Sequence, residues 1–425
     1  MNFFAHWFGT VDPVAIYISL TAVVLGFYTA WTIGANDVAN AMGTSVGSGT
    51  LKYYQAILIA GIMEFAGAVL AGSHVTNTIR KGIIDPQLFA GDPSVLILGM
   101  LAVLLAAALW LHFSTWFGLP VSTTHSIVGA VLGFGIYACG ISQIQWSAVF
   151  RIAISWVISP VVGGLFAYFL FRFIRWRILT ADDPGRATLR IAPIFAGLTL
   201  GILVLATIYE GLHNLHLNFT LIHSLLIAGL AAVACWGIFF FVIRAKGQHR
   251  FRDIGKVESV FMALQVMTAA YVAFAHGAND VANAVGPVAA VVMMTTKGVV
   301  ITSTAVPLWI LVLGGLGIVV GLATWGYKVM RTIGKAITEL TPTRGFCAEF
   351  ATATVVLVCS KLGLPMSTTH TLVGSVLGVG LARGLDAINL RVVSSIFSSW
   401  FLTLPAAGGL AIGIYYILAH YFLTP

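Results

Sequence analysis

The sequence predicts an all-α integral membrane protein built from two inverted copies of one helical unit. Three observations support this fold class. Hydrophobic residues make up 59% of the 425 positions and charged residues only 8%, whereas ordinary soluble domains carry about 25% charged residues. Several apolar stretches are long enough to cross a bilayer. Two sequence motifs recur in the same order in both halves of the chain.

The apolar stretches exclude both a soluble protein and an enzyme held by a single anchor. A helix needs roughly 20 residues to cross about 30 Å of hydrocarbon. The clearest predicted spans cover residues 14–31, 94–113, 191–209, 221–243, 309–325 and 392–416. The four cysteines lie in apolar surroundings without metal or redox spacing, so we expect no cofactor.

The internal repeat is the most informative feature of the chain. Residues 34–41 read GANDVANA, and residues 277–284 repeat all eight letters. Residues 119–135 read LPVSTTHSIVGAVLGFG, and residues 364–380 read LPMSTTHTLVGSVLGVG, with 12 of 17 positions identical. The two offsets, 243 and 245 residues, nearly agree. Such order and spacing indicate a duplicated unit.

The formal charge of +8 does not indicate a nucleic-acid-binding face, because the basic residues are concentrated in two short segments that flank a central pair of spans. They hold ten of the 22 lysines and arginines: Arg172, Arg175, Arg177, Arg186, Arg190, Arg244, Lys246, Arg250, Arg252 and Lys256. The positive-inside rule predicts that both segments are cytoplasmic. Binding to anionic lipid headgroups is an alternative that fits the same topology.

These loops divide the chain and orient its parts. We predict a first repeat at 1–178, basic loops with a central hairpin at 179–256, and a second repeat at 257–425. Because both ends of the hairpin are cytoplasmic, the two repeats must cross the membrane in opposite directions. The terminal segments contain no lysine or arginine, so both termini are predicted to be extracytoplasmic. Inverted repeats are typical of alternating-access transporters, with the site near the midplane.

The GANDVANA motifs predict cation sites. Gly34 and Gly277 interrupt apolar runs, so we expect a helix break at each, which a membrane tolerates only beside protein or a cavity. Spacings of three and four residues place the polar side chains on one side of each helix. They are Asn36, Asp37 and Asn40 in the first copy and Asn279, Asp280 and Asn283 in the second.

Two interpretations of these side chains stand at this point. Carboxamide and carboxylate oxygens, with carbonyls freed at a break, suit a small hard cation. The alternative is a polar clamp between helices. An aspartate at the bilayer centre costs roughly 2.5–3.5 kcal/mol. Meeting that cost twice favours a bound cation.

The STTH segments predict an anion site. A Gly-Leu-Pro sequence at 118–120 and again at 363–365 breaks the preceding helix. The hydroxyl side chains that follow are Ser122, Thr123, Thr124, Ser367, Thr368 and Thr369. A helix N-terminus offers free N–H groups and positive partial charge to an anion. The alternative is simple capping of two helices.

Further polar residues are candidates for coupling. They are Glu64, His125, His276, Glu349 and His370. For the two STTH histidines, a hydrogen bond that fixes the helix competes with a proton relay or a contact with the anion. His276 has Ile33 at the matching place in the first copy, so any role would be specific to one copy. Intramembrane carboxylates are functional candidates by default, and a structural glutamate is the alternative.

The paired GANDVANA and STTH segments, with a basic central loop, resemble the inorganic phosphate transporter (PiT) family over both halves of the chain. The resemblance implies about twelve spans, including re-entrant or broken helices, and uptake of phosphate coupled to Na⁺ or H⁺. It implies cation sites at the two Asn–Asp–Asn sets and an anion site at the six hydroxyls. It also implies roles in transport for Glu64, His276 and Glu349.

We therefore expect a plasma-membrane symporter for inorganic phosphate and a monovalent cation, embedded in the lipid bilayer and not an enzyme. A sulfate or other oxyanion permease of the same fold is the first alternative. A passive anion channel and an intramembrane aspartyl protease are more distant ones. The oligomeric state stays open, with a homodimer as one alternative.

Overall fold

The computed structural model describes residues 13–72, 83–208, 219–245, 253–297, 306–361 and 366–423. Within these ranges the chain forms thirteen α-helices and no strand longer than an isolated bridge between Ile84 and Ile144. The prediction of an all-α protein is confirmed.

The helices follow the order of the repeat. The first half contains α1 (Pro13–Gly47), α2 (Tyr53–Ala71), α3 (Pro93–Trp116), α4 (Thr123–Cys139) and α5 (Trp146–Ile174). The central hairpin contains α6 (Pro184–Ala206) and α7 (Leu221–Ala245). The second half contains α8 (Ile254–Lys297), α9 (Leu308–Trp325), a short α10 (Tyr327–Arg331), α11 (Pro342–Lys361), α12 (Thr368–Arg383) and α13 (Leu390–Phe422).

Nine of the described helices are long and apolar enough to cross a membrane: α1, α2, α3, α5, α6, α7, α8, α9 and α13. Five of the six spans predicted from the sequence fall within them, and the sixth, 191–209, begins in α6 and extends past its end at Ala206. Helices α4 and α12 are shorter, with 17 and 16 residues. The chain is therefore a multi-pass membrane protein.

Helices α1 and α8, which carry the two GANDVANA copies, run antiparallel. Near one end of the pair, Ser19 Oγ lies 2.7 Å from Thr295 Oγ1. Further along, His276 Nε2 lies 3.6 Å from Asp37 Oδ2. Residue numbers thus rise along one helix while they fall along the other, as two inverted copies require. The repeat boundaries at 178 and 256 stay predictions.

The predicted helix breaks at Gly34 and Gly277 were wrong, because both residues lie inside continuous helices of 35 and 44 residues. The glycines serve close packing. A Cβ atom at Gly34 would overlap the backbone carbonyl of Ile318 on α9, and one at Gly277 would overlap that of Glu64 on α2. Each glycine thus lets a neighbouring helix approach to backbone contact, an effect that hydropathy alone does not distinguish from a break.

The break that precedes α4 is real. Helix α3 ends at Trp116, and Gly118 adopts a φ of +67°, a left-handed conformation that favours glycine. Ser122 then caps α4 by accepting a hydrogen bond from the His125 N–H at 3.2 Å. In the second copy Ser367 caps α12 through the His370 N–H at 3.1 Å. The predicted second break at 363–365 lies outside the described residues.

The central hairpin lies at the edge of the bundle. Gly197 and Gly201 of α6 pack against Ala232 and Ala228 of α7, so these helices are antiparallel. The N-terminus of α6 and the C-terminus of α7 therefore lie at the same end, with Arg186 and Arg244, respectively, close to them. The hairpin turn at 209–218, the basic residues at 246–252 and the terminal segments 1–12 and 424–425 lie outside the described residues.

Candidate functional site

The two aspartates of the GANDVANA motifs meet around one histidine. His276 Nε2 lies 3.0 Å from Asp280 Oδ2 and 3.6 Å from Asp37 Oδ2. All three side chains are fully or almost fully buried. Their ligand atoms lie within 4.8 Å of one another, so they form a group that could hold a metal ion. Antiparallel packing of α1 and α8 produces this meeting, which neither helix could create alone.

The motif asparagines orient these carboxylates. Asn40 donates to Asp37 Oδ1 at 3.1 Å, and Asn283 donates to Asp280 Oδ1 at 3.2 Å. Among these motif side chains, three buried oxygens accept no hydrogen bond of ordinary geometry from the described residues: Asp37 Oδ2, Asn40 Oδ1 and Asn283 Oδ1. Buried polar atoms without a partner are costly and call for an explanation such as an ion. The arrangement therefore suits a cation held by oxygen ligands.

Asn36 has a task that the sequence prediction did not include. Its amide donates to Thr115 Oγ1 at 2.9 Å and to the Leu119 carbonyl at 3.1 Å. Its Oδ1 accepts the Val121 N–H at 3.2 Å. The carboxamide thus ties α1 to the break between α3 and α4, where the chain has no helical hydrogen bonds of its own. Asn279, the matching residue, is also buried.

The N-termini of α4 and α12 face each other. Thr124 donates to the Met366 carbonyl at 3.3 Å, and Thr369 donates to the Val121 carbonyl at 3.4 Å. Each contact joins a hydroxyl of one tip to the chain just before the other tip. The first N–H groups of a helix have no partner within it, and the positive ends of two helices are therefore brought together here.

The hydroxyl tips and the aspartates form one buried site. Thr369 donates to Asp37 Oδ1 at 3.3 Å, and Thr368 donates to Asp280 Oδ2 at 2.9 Å. Asn283 lies 3.4 Å from the Thr123 hydroxyl. All six predicted hydroxyl residues are at most 3% exposed. The structure therefore brings together the four motif segments that the sequence separates by up to about 330 positions, from Asp37 to Thr369.

The STTH histidines pack behind the tips against tryptophans. The His125 and His370 ring centroids lie 4.4 Å apart. His125 contacts Trp156 at a centroid distance of 3.7 Å, and His370 stacks on Trp400 at 3.6 Å. His370 Nδ1 also lies 3.2 Å from the Trp156 carbonyl. These contacts favour the prediction of a helix-fixing role over a proton relay.

The coupling candidate Glu64 reaches the site through His276. Glu64 Oε1 lies 3.4 Å from His276 Nδ1, and both side chains are 0% exposed. The repeat relates this position to a second one in the structure. Glu64 packs against Gly277, and Ile318 packs in the same way against Gly34, the matching glycine of the first motif. Ile33 stands there for His276. Of these two pseudosymmetric positions, one thus holds the buried acid–imidazole pair of Glu64 and His276. The other holds two isoleucines.

Glu349, on α11, lies in a separate hydroxyl-lined pocket. Its Oε1 accepts hydrogen bonds from Thr44 at 2.5 Å and Ser45 at 2.6 Å. Its Oε2 accepts from Thr268 at 2.6 Å, and Gln265 donates to Oε1 at 3.3 Å. Sequence reasoning missed these partners. Their helical spacing in α1 and α8 is visible in the sequence, but only packing shows that both helices face one glutamate.

Comparison with known proteins adds independent information. A model of the phosphate transporter family matches residues 33–411. A protein of Pyrococcus horikoshii provisionally named a phosphate permease is 50% identical over 413 residues, which cover 96% of this chain and 98% of that protein. The chloroplastic inorganic phosphate transporter 2-1 of Arabidopsis thaliana is 43% identical over 93% of this chain and 71% of its own length.

A solved structure is also similar. It is named the sodium-dependent phosphate transporter and superimposes with a TM-score of 0.89 at 42% sequence identity. The match covers 95% of this chain and 99% of that one. The fold described above therefore agrees with that of a known transporter over nearly its whole length.

Proposed function

The chain belongs to the phosphate transporter family, and from this premise we propose that it is a symporter that imports phosphate together with Na⁺ by alternating access. Family membership makes it a transporter and not an enzyme, so the aspartyl protease alternative is excluded. One observation carries the finer proposal. Asp37 and Asp280 both lie within hydrogen-bonding distance of hydroxyls at the N-terminus of α12, and Asn283 lies 3.4 Å from the Thr123 hydroxyl at the N-terminus of α4.

The proposed cation ligands are buried side-chain oxygens of the two GANDVANA motifs. Asp37 Oδ2, Asn40 Oδ1 and Asn283 Oδ1 are buried acceptors, and Asp280 supplies the second carboxylate. Hard cations prefer such oxygen ligands. The similar solved structure is that of a sodium-dependent transporter, which supports Na⁺ over H⁺ as the coupling ion. Asn36 is left out of this ligand set because its amide holds the helix break.

The anion ligands are the tips of α4 and α12. Their hydroxyls and free N–H groups would hold a tetrahedral oxyanion without a buried arginine, which helps release. Phosphate near neutral pH keeps a proton that sulfate lacks. An ionised carboxylate only accepts hydrogen bonds, so Asp37 or Asp280 could accept a hydrogen bond from the protonated oxygen of phosphate, whereas sulfate has no proton to donate. This argument favours phosphate over the sulfate alternative.

Electrostatics supplies the coupling. Moving a phosphate dianion into a cell at 100 mV costs about 4.6 kcal/mol, because each charge costs about 2.3 kcal/mol. Two monovalent cations cancel that cost. Without cations the two carboxylates repel phosphate, and with cations they admit it. Binding of cation and anion is then reciprocal.

Because the halves are inverted relative to each other, such a carrier could open its site to either side of the membrane by equivalent movements. We further propose that it resides in the plasma membrane with its basic segments cytoplasmic and both termini outside. The boundaries at 178 and 256 then divide two inverted transport units and a peripheral hairpin.

Uptake by proteoliposomes tests the proposal. The purified chain is reconstituted, and labelled phosphate or sulfate is offered under a sodium gradient, a proton gradient or no gradient. We expect accumulation of phosphate above the external concentration with a sodium gradient only. Equilibration without accumulation would instead establish a passive channel, and accumulation with a proton gradient alone would replace Na⁺ by H⁺.

A further inference from the structure

The acid–imidazole pair in one half of the site has no part in an all-oxygen cation site. Sodium and other hard cations are bound by oxygen, whereas imidazole suits zinc, copper, iron and nickel. His276 nevertheless directs Nε2 at both aspartates, at 3.0 and 3.6 Å. His276 thus has carboxylate neighbours at both ring nitrogens, since Glu64 Oε1 lies 3.4 Å from Nδ1.

The spacing of these three atoms fits a transition-metal ion. Metal–nitrogen and metal–oxygen bonds of about 2.0–2.2 Å place the ligands of a tetrahedral ion about 3.3 Å apart. The two distances measured from His276 Nε2, 3.0 Å to Asp280 and 3.6 Å to Asp37, bracket this value. All ligand atoms lie within 4.8 Å of one another and are buried. Asp37 Oδ2 accepts no ordinary hydrogen bond from the described residues.

The surroundings of His276 match those of a metal ligand. Histidines that bind metals place the other ring nitrogen against a carboxylate or carbonyl, which sets the tautomer and raises ligand basicity. Glu64 Oε1 occupies this place, 3.4 Å from Nδ1. The second oxygen of each aspartate is held by an asparagine, at 3.1 Å for Asp37 and 3.2 Å for Asp280.

We propose that Asp37, His276 and Asp280 form a binding site for a divalent transition-metal ion such as Zn²⁺ or Co²⁺, with Glu64 orienting the imidazole. The site occurs once among the described residues, since Ile33 and Ile318 stand where a pseudosymmetric copy would need His276 and Glu64. The metal uses both aspartates and therefore displaces the coupling cations, a consequence that rests on the proposed function. Submillimolar Zn²⁺ is thus an inhibitor of phosphate uptake.

Direct binding of Co²⁺ tests the site without relying on transport. The full chain, purified through a tag that contains no histidine, is titrated with Co²⁺ while visible absorption is recorded, and Zn²⁺ is added as competitor. We expect one Co²⁺ per chain, displaced by Zn²⁺. Substoichiometric binding, or absorption of hexaaquo Co²⁺ only, would overturn the proposal.

The chain itself provides the matched variants. His276→Ile installs the residue that the first half carries and should abolish the Co²⁺ spectrum. Glu64→Gln keeps the shape of the side chain and should weaken Co²⁺ binding about 10–100-fold, as loss of an orienting carboxylate does. His223→Ala removes an exposed histidine of α7 and should leave binding as in the wild type. Binding by both His276→Ile and Glu64→Gln at wild-type affinity would refute the assignment.

Failure of the metal site and failure of the proposed function are separable. Sodium-driven phosphate uptake by the wild type is measured in buffer with a chelator of transition metals, and then with added Zn²⁺. Uptake in chelator without Co²⁺ binding refutes the metal site alone. Stoichiometric Co²⁺ binding without sodium-driven uptake keeps the metal site and refutes the symporter.

Discussion

The Thr369 hydroxyl, at a helix tip of the second half, donates a hydrogen bond to Asp37 Oδ1 of the first half at 3.3 Å. This contact joins a residue of the proposed anion site to one of the proposed cation site. A change in the charge balance at Asp37 therefore acts directly on a group that would hold phosphate. Cation binding and phosphate binding should accordingly change together.

Asp37→Asn should weaken sodium dependence and phosphate uptake together. Removing a unit charge about 4 Å from a cation costs on the order of 4 kcal/mol at an effective dielectric constant of 20. Sodium affinity should accordingly fall at least about a hundredfold. Initial uptake rates over a sodium series measure this, with Asp182→Asn, at a position away from the site, as the control. Normal sodium dependence in Asp37→Asn would reject the role of this carboxylate.

Thr369→Val should raise the KM for phosphate. The hydroxyl donates towards Asp37 and accepts from Asn40 at 2.9 Å. Hydrogen bonds to charged groups contribute about 1.5–3 kcal/mol, so we expect KM to rise roughly 10- to 150-fold. Thr354→Val removes a hydroxyl that donates to the Phe350 carbonyl within α11 and should leave KM near the wild-type value. Equal KM values for the two variants would contradict the prediction.

Gly277→Ala should destabilise the protein because its Cβ atom would overlap the Glu64 backbone carbonyl. Overpacking costs about 1–3 kcal/mol, and a rigid backbone neighbour places the cost at the upper end. Gly229→Ala, on α7 with no atom near the new Cβ, should instead stabilise its helix by about 0.8–1 kcal/mol. Thermal unfolding in detergent compares the two. A melting temperature in Gly277→Ala equal to that of the wild type would disprove the proposed close approach.

Asn36→Leu should lower stability while the sodium response persists. The change leaves the Val121 N–H and the Leu119 carbonyl without the partner they have in α1, and each unsatisfied group costs about 1–3 kcal/mol. If the wild type binds sodium as proposed, sodium should raise its melting temperature by mass action. The same increase should be seen in Asn36→Leu, because Asn36 supplies no proposed cation ligand. Loss of that increase, with the variant still folded, would return Asn36 to the ligand set.

Much of the fold was predictable because bilayer chemistry leaves few choices. Apolar length identified the six clearest spans; five lie entirely in observed helices, and the sixth, 191–209, overlaps α6 over most of its length. Duplicated motifs implied duplicated units, and the charge asymmetry implied inversion. Gly34 and Gly277 were misinterpreted, since a glycine that ends a helix and one that admits a neighbour look alike in a single sequence.

The candidate site was predictable in its membership but not in its contacts. Helical spacing placed Asn36, Asp37 and Asn40 together, yet Asn36 holds a helix break and the other two face the partner half. Nothing in the local sequence joins Glu64 to His276, or Glu349 to Thr44 and Thr268. These pairs involve residues far apart along the chain.

By itself, the sequence determined a membrane-spanning, duplicated chain and the chemical groups it places inside the bilayer, because hydrophobicity, repetition and residue type are local properties. Only the tertiary structure decided that the two aspartates share one histidine and that two helix tips meet beside them. The physical reason is packing: which faces of α1, α8, α4 and α12 come into contact depends on side-chain fit across the whole bundle. That fit brings two copies of one motif into a single site, in which only one of the two pseudosymmetric positions carries a histidine and a glutamate.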